Sequence, residues 1–150
     1  MTSTNPTDGG TSPAPRPRSR VSDEPGFLAF WRERGYATLT TARPDGTPHV
    51  VPVSVTYEPG TRTARVIASR GSRKVRNVEA AGAEGMRVAL CQVEGRHWAT
   101  LEGRARVRTE ADLVAEAERR YAERYGRAPR PNPDRVLIEI AVDRTMSRTP

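Results

Sequence analysis

The stretch from His97 to Thr109 alternates with a period of two, and this limits the possible folds more than any other feature of the chain. Ala99, Leu101, Gly103, Ala105 and Val107 fall on one side; Trp98, Thr100, Glu102, Arg104, Arg106 and Arg108 fall on the other. Successive side chains of a strand point to opposite faces, so one face of this long strand is buried and the other is not. A face of small apolar residues suits the interior of a small barrel. Trp98 is out of phase with that interior. A large aromatic on the non-core face calls for an interface or a planar ligand.

The remaining segments read as further strands with a few helices. Glu24 to Arg34 reads as a helix: acids and Pro25 mark its start, Phe27, Leu28, Phe30 and Trp31 form its apolar face, and Gly35 stops it. Tyr36 to Ala42 and Thr47 to Tyr57 read as a hairpin around Arg43-Pro44-Asp45-Gly46. Pro52 lies inside the second of these strands. It has no N–H to donate, so that strand lies at an edge, bulges, or faces something other than a neighbour there. Thr63 to Ser69, Met86 to Val93 and Val136 to Val142 read as strands. A short helix follows Ser72 and runs to about Ala81, and a longer one runs from a capping-box variant at Thr109 to Tyr125, ended by Gly126. The expected fold is mainly β: a six-stranded antiparallel barrel with flanking helices, over residues 23–144. Residues 1–22 read as a disordered tail rich in Pro, Ser, Thr and Arg, and 145–150 as a polar C-terminal tail.

A net charge of +7 and a pI near 10.6 call for a polyanionic partner. The arginines are spread along the chain and no nucleic-acid-binding signature accompanies them, so no nucleic acid is expected. The single cysteine, Cys91, excludes an internal disulfide and fits a reducing cytoplasm. With two histidines beside it, a Cys/His zinc site is excluded and no metal is expected. No apolar run is long enough to span a membrane. There is no nucleophile elbow, P-loop or dinucleotide fingerprint, so any chemistry would need a cofactor to bring the reactive atom.

One stretch suits a phosphate. Ser69-Arg70-Gly71-Ser72-Arg73-Lys74-Val75-Arg76-Asn77 joins a strand end to a helix start, where free backbone N–H groups and the positive end of the dipole coincide. Of the 25 lysines and arginines, only Lys74 is a lysine. The two cations are not interchangeable at a site, which sets this ammonium apart.

Taken in order, these motifs resemble the split β-barrel of pyridoxamine-phosphate-oxidase-like flavin and deazaflavin proteins. Thr38-Leu39-Thr40-Thr41 with Pro48-His49-Val50-Val51-Pro52-Val53 looks like the first hairpin, and Ser69 to Asn77 like the phosphate turn. Ala89 to Ala105 and Arg130-Pro131-Asn132-Pro133 resemble the actinobacterial coenzyme F420-dependent biliverdin reductases. The resemblance implies a cytoplasmic homodimer with two cofactor sites between subunits. It implies that His49, Val50, Val51, Pro52 and Val53 lie against the deazaflavin ring. Ser72, Arg73, Lys74 and Asn77 would bind the phosphate, with Ser69 and Arg70 alongside. Cys91, Gln92 and Trp98 would reach the site from the neighbouring subunit, and Arg130, Pro131, Asn132 and Pro133 would border it. Reduced F420 would pass a hydride to an organic acceptor, foremost biliverdin, whose charges Arg104, Arg106 and Arg130 would meet. FMN is the alternative cofactor, and a non-enzymatic flavin-, deazaflavin- or haem-binding protein the alternative role. The turn departs from its relatives at Arg70 and Arg73, and the chain ends soon after Arg144.

Overall fold

The computed structural model describes residues 2–3, 9–13 and 20–150. The rest of the expected N-terminal tail lies outside the described residues. The chain runs α1 (Pro25–Arg32), β1 (Ala37–Ala42), β2 (Pro48–Val53), β3 (Thr56–Glu58), β4 (Thr63–Ser69), α2 (Arg73–Ala80), β5 (Met86–Glu94), β6 (His97–Arg108), α3 (Ala111–Tyr125) and β7 (Arg135–Arg148). All strand pairs are antiparallel, in the order β2-β1-β5-β6-β7-β4-β3. The two edge strands, β2 and β3, are consecutive in the chain and joined only by Ser54 and Val55. A sheet whose opposite edges are two residues apart must curl round on itself. The result is a split barrel that is not hydrogen-bonded shut.

The period-two reading of β6 holds. Ala99, Leu101 and Ala105 are fully buried, and they join Leu39, Val66, Leu90, Ile138 and Ile140 in one core. Helix α2 contributes Val75 and Val78 to that core, while α1 contributes Phe27, Phe30 and Trp31. Phe27 meets Trp31 and Tyr57 edge-on, with ring centroids 6.5 and 6.3 Å apart. Helix α3 lies outside, packing Val114 and Ala117 on Leu137.

Several expectations need correcting. The stretch from Thr47 to Tyr57 is two strands, because the chain leaves one sheet edge and joins the other; this makes seven strands where six were expected. Pro52 lies on an edge strand opposite Thr38, where its missing N–H costs no ladder bond. The C-terminal tail is ordered: β7 continues to Arg148, which pairs with Trp98, after a register shift at Glu102/Gly103. Its end looked like a tail because its outward residues are polar. The N-terminal boundary also moves. Arg20 O accepts from Thr145 N–H at 2.9 Å, Ser22 N–H donates to Thr145 Oγ1 at 2.9 Å, and Val21 is buried. Gly35 is not the stop of α1, which caps at Glu33; a Cβ at Gly35 would come within 2.5 Å of Gln92. Helix α3 starts at Ala111 with Glu110 as N-cap and no side-chain capping bond, while Gly126 ends it at φ 70° as expected.

Candidate functional site

A cavity of about 440 Å³ lies between the β2–β3 joint, the start of α2 and the loop after α3. Pro52, Val53 and Ser54 form its backbone wall, and Ile67 and Tyr121 add apolar surface. Lys74, Arg127, Arg130 and Arg135 bring four cations, and no acidic side chain lines it among the described residues. Arg135 is partly neutralised, since it lies 3.6 Å from Glu118 and donates to Arg130 O at 2.7 Å. The cavity therefore favours an anion.

Beside it, the Ser69–Asn77 turn is held by the loop after α3. Arg70 N–H donates to Asp134 O at 2.9 Å, and Asn132 Nδ2 donates to Ser69 Oγ at 2.9 Å. Asn132 Oδ1 also accepts from Asp134 N–H at 2.9 Å, which stiffens the loop that carries Arg130. Ser72 stands at the N-cap of α2, yet its hydroxyl does not cap the helix. That Oγ is buried and has no partner among the described residues. The N–H groups of the first α2 turn are the ones a helix cannot satisfy internally.

Lys74 is half-buried and forms no ion pair among the described residues. Burial pulls its pKa below the ordinary lysine value. His49 is likewise held below the ordinary histidine value, by burial first and then by Arg43, Arg73 and Lys74. Its Nδ1 is buried without a partner among the described residues. The Ser72 hydroxyl, the Lys74 ammonium and the first-turn N–H groups of α2 together form a donor set suited to an anion.

The structure divides the sequence-derived residues. Pro52, Val53, Lys74 and Arg130 line one cavity; Ser69, Ser72 and Asn132 belong to the turn and the loop that pins it. Arg70 and Arg73 are exposed at the same turn, and Pro131 and Pro133 are exposed in the loop. Val50, Cys91 and Trp98 lie on the outer face of the sheet, away from this cavity within one chain, and Val51 lies on the inner side of β2. Asn77 is fully buried and donates to Thr41 Oγ1 at 3.0 Å, fastening α2 to β1. Gln92 is also buried: its Nε2 donates to Phe30 O at 3.3 Å and its Oε1 accepts from Arg124 at 2.8 Å. Both amides are thus tied into the fold, although Asn77 Oδ1 has no partner among the described residues. Arg104 and Arg106 turn to the carbonyls of Glu84 and Ala83, so they do not join Arg130 at the cavity within one chain.

Sequence reasoning missed Ser54, Tyr121, Arg127 and Arg135. In the sequence Tyr121 shares an apolar stripe of its helix with Leu113, Val114 and Ala117, which marks it for packing and not for a site. For Arg127, the sole signal was its place after the helix-ending Gly126.

Comparison with known proteins gives a consistent picture. The pyridoxamine 5'-phosphate oxidase family model matches residues 24–147. A Mycobacterium tuberculosis protein named F420H(2)-dependent biliverdin reductase is 48% identical over 128 residues, covering 85% of this chain and 88% of that one. A conserved hypothetical protein from Mycobacterium tuberculosis has a crystal structure that superposes with a TM-score of 0.70 at 22% identity, covering 89% of this chain and 88% of its own. A structure described as an F420 reductase superposes with a TM-score of 0.64 at 22% identity, covering 81% and 96%. At that identity the two structures establish the fold. With the family model spanning most of the chain, this protein is a member of the pyridoxamine 5'-phosphate oxidase family.

Proposed function

We propose that this protein is a coenzyme F420-dependent reductase that passes a hydride to an organic acceptor, with biliverdin, giving bilirubin, as the acceptor. One observation carries the reading: the half-buried, unpaired Lys74 lines the same cavity as the Pro52–Ser54 wall. The relative named for this activity, at 48% identity, supports it.

The residues fit the coenzyme's phosphate. The orphaned Ser72 hydroxyl, the Lys74 ammonium and the first-turn N–H groups of α2 supply donors and charge to hold it. Arg70 and Arg73, exposed at the same turn, extend the positive field toward an anionic tail. Asn77 acts indirectly by tying α2 to β1. When bound, F420 supplies the hydride from its deazaflavin ring. Pro52, Val53 and Ser54, on a sheet edge with no neighbouring strand, would orient the ring, while Tyr121 and Ile67 would exclude water. Arg130 and Arg127 meet acceptor carboxylates, and solvent provides the proton.

The proposal includes a homodimer formed through the outer face of β2-β1-β5-β6. Val50 and Val93 are 55% and 63% exposed there, beside Cys91, Trp98 and Thr100. Apolar side chains on an uncovered sheet face support an interface, which would bring Cys91 and Trp98 to the partner's cofactor.

The test is to mix the protein with reduced F420 and biliverdin. Return of the oxidised deazaflavin absorbance together with bilirubin formation supports the proposal. F420 oxidation with other acceptors only would remove biliverdin. Tight FMN binding without any response to F420 would overturn the cofactor assignment, and F420 binding without turnover would make this a carrier.

A further inference from the structure

The two sheet edges meet at Ser54–Val55, next to the residues that wall the cavity. Val55 is 1% exposed, yet it belongs to neither strand, so its peptide groups need partners outside the ladder. The last turn of α3 supplies them. Val55 N–H donates to Tyr125 Oη at 3.0 Å, and Val55 O accepts from Arg124 Nη1 at 2.6 Å. Tyr125 has one hydroxyl proton, and its shortest acceptor is Gly35 O at 2.7 Å. The phenol thus bridges Val55 to the segment that leads into β1.

Arg124 uses its whole fork in the same way. Nε and Nη2 donate to Glu33 O at 3.0 and 2.8 Å, Nη2 also to Gln92 Oε1 at 2.8 Å, and Nη1 also to Tyr125 Oη at 3.4 Å. All five N–H groups therefore point at neutral acceptors on the C-cap of α1, β5, α3 and the joint. Tyr36 stacks on Tyr125 with centroids 5.5 Å apart, and Tyr121, one turn earlier on α3, meets it at a tilt with centroids 4.8 Å apart and also lines the cavity.

We propose that Arg124 and Tyr125 are positioning residues that set the Pro52–Ser54 wall for the cofactor by gripping the Val55 peptide. This rests on the reading of the cavity as the cofactor site. The grip adds to the burial of Val53 and Val55 in the core where strand pairing gives no register: β2 and β3 do not pair, and in a strand a one-residue slip turns every side chain to the opposite face. A slip at Val55 would rotate Val53 and Ser54 away from the ring.

The experiment titrates F420 by fluorescence into wild-type protein, Tyr125→Phe and Val142→Ala, at a temperature where all are folded. Tyr125→Phe keeps the ring stack and removes only the hydroxyl. Val142→Ala is a core truncation outside the cavity lining that lowers Tm without touching the joint. Tyr125→Phe is expected to raise the Kd for F420 about tenfold, near the net worth of one hydrogen bond. Inorganic phosphate, which probes only the Lys74 turn, should bind both alike, and Val142→Ala should leave the Kd for F420 unchanged. Arg124→Lys, which keeps the charge and loses the fork, gives the same result by a second route and serves if Tyr125→Phe does not fold. An unchanged Kd in Tyr125→Phe and Arg124→Lys, with only Tm lowered, overturns the positioning role and leaves the cofactor site standing. Failure of wild-type protein to bind F420 or FMN overturns the cofactor site and the positioning role with it.

Discussion

Lys74 and Arg124 are both partly buried cations flanking the same stretch of backbone, and they are treated in opposite ways. Arg124 has every donor satisfied by carbonyl, amide or phenol oxygens, and its guanidinium stacks 5.8 Å from the Trp31 ring and 5.5 Å from that of Tyr125. Lys74 has no such partners among the described residues, and two polar atoms without a partner among them, Ser72 Oγ and His49 Nδ1, stand in the same region. A saturated cation serves the fold, because its removal strands the groups that depended on it. An unsaturated one opposes folding by its burial, and on the proposed reading the anion of the cofactor offsets that cost. On that reading one end of the wall holds still and the other receives.

The largest effect that would break this contrast is on stability. Arg124→Ala leaves Val55 O, Glu33 O and Gln92 Oε1 without their donor and should lower unfolding stability by about 3 kcal/mol in urea titration. A loss below about 0.5 kcal/mol would mean that the network contributes little net stability. Lys74→Ala should do the reverse. In the absence of ligand it should hold or raise stability, by up to about 1 kcal/mol, because no partner is stranded and a partly buried charge is removed.

How far the sequence foretold these residues follows from the range of their contacts. The alternation in β6, the left-handed Gly126 and the edge position of Pro52 were legible because each depends on neighbours in the chain. The solitude of Lys74 was legible as composition. Gln92 was misplaced although its signal was present: it is in phase with Val88 and Leu90, the inward residues of β5. Asn77 likewise shares the inward side of α2 with Val75 and Val78. The clamp was not legible. A last-turn arginine is an ordinary helix ending, and its acceptors lie 32, 69 and 91 positions away, brought together only by the curl of the sheet. The end of β7 was hidden because it adds polar residues to the outer face.

The smallest effect concerns pH. The folded protein holds His49 below its unfolded value of 6.5, so the unfolded chain binds more protons in the window just beneath that value. Stability then falls as pH drops below about 6.5, by a few tenths of a kcal/mol for a ring so partly covered. His49→Gln should flatten this leg between pH 7 and 5 in urea titrations. Asp45, Glu58 and Asp143, held below the usual carboxylate values by their partners, act at lower pH and leave the histidine window clear. A slope unchanged in His49→Gln would assign the effect elsewhere.

The most direct measurement compares F420 binding by Lys74→Ala and Arg108→Ala. Both remove one cation, but Arg108 lies on the outer face of β6 and is paired with Glu139 at 3.3 Å. Fluorescence titration should show Lys74→Ala weakened at least tenfold, the worth of a charge-assisted hydrogen bond, and Arg108→Ala close to wild type. Equal losses in the two variants would show that F420 senses only overall charge, and would contradict the site.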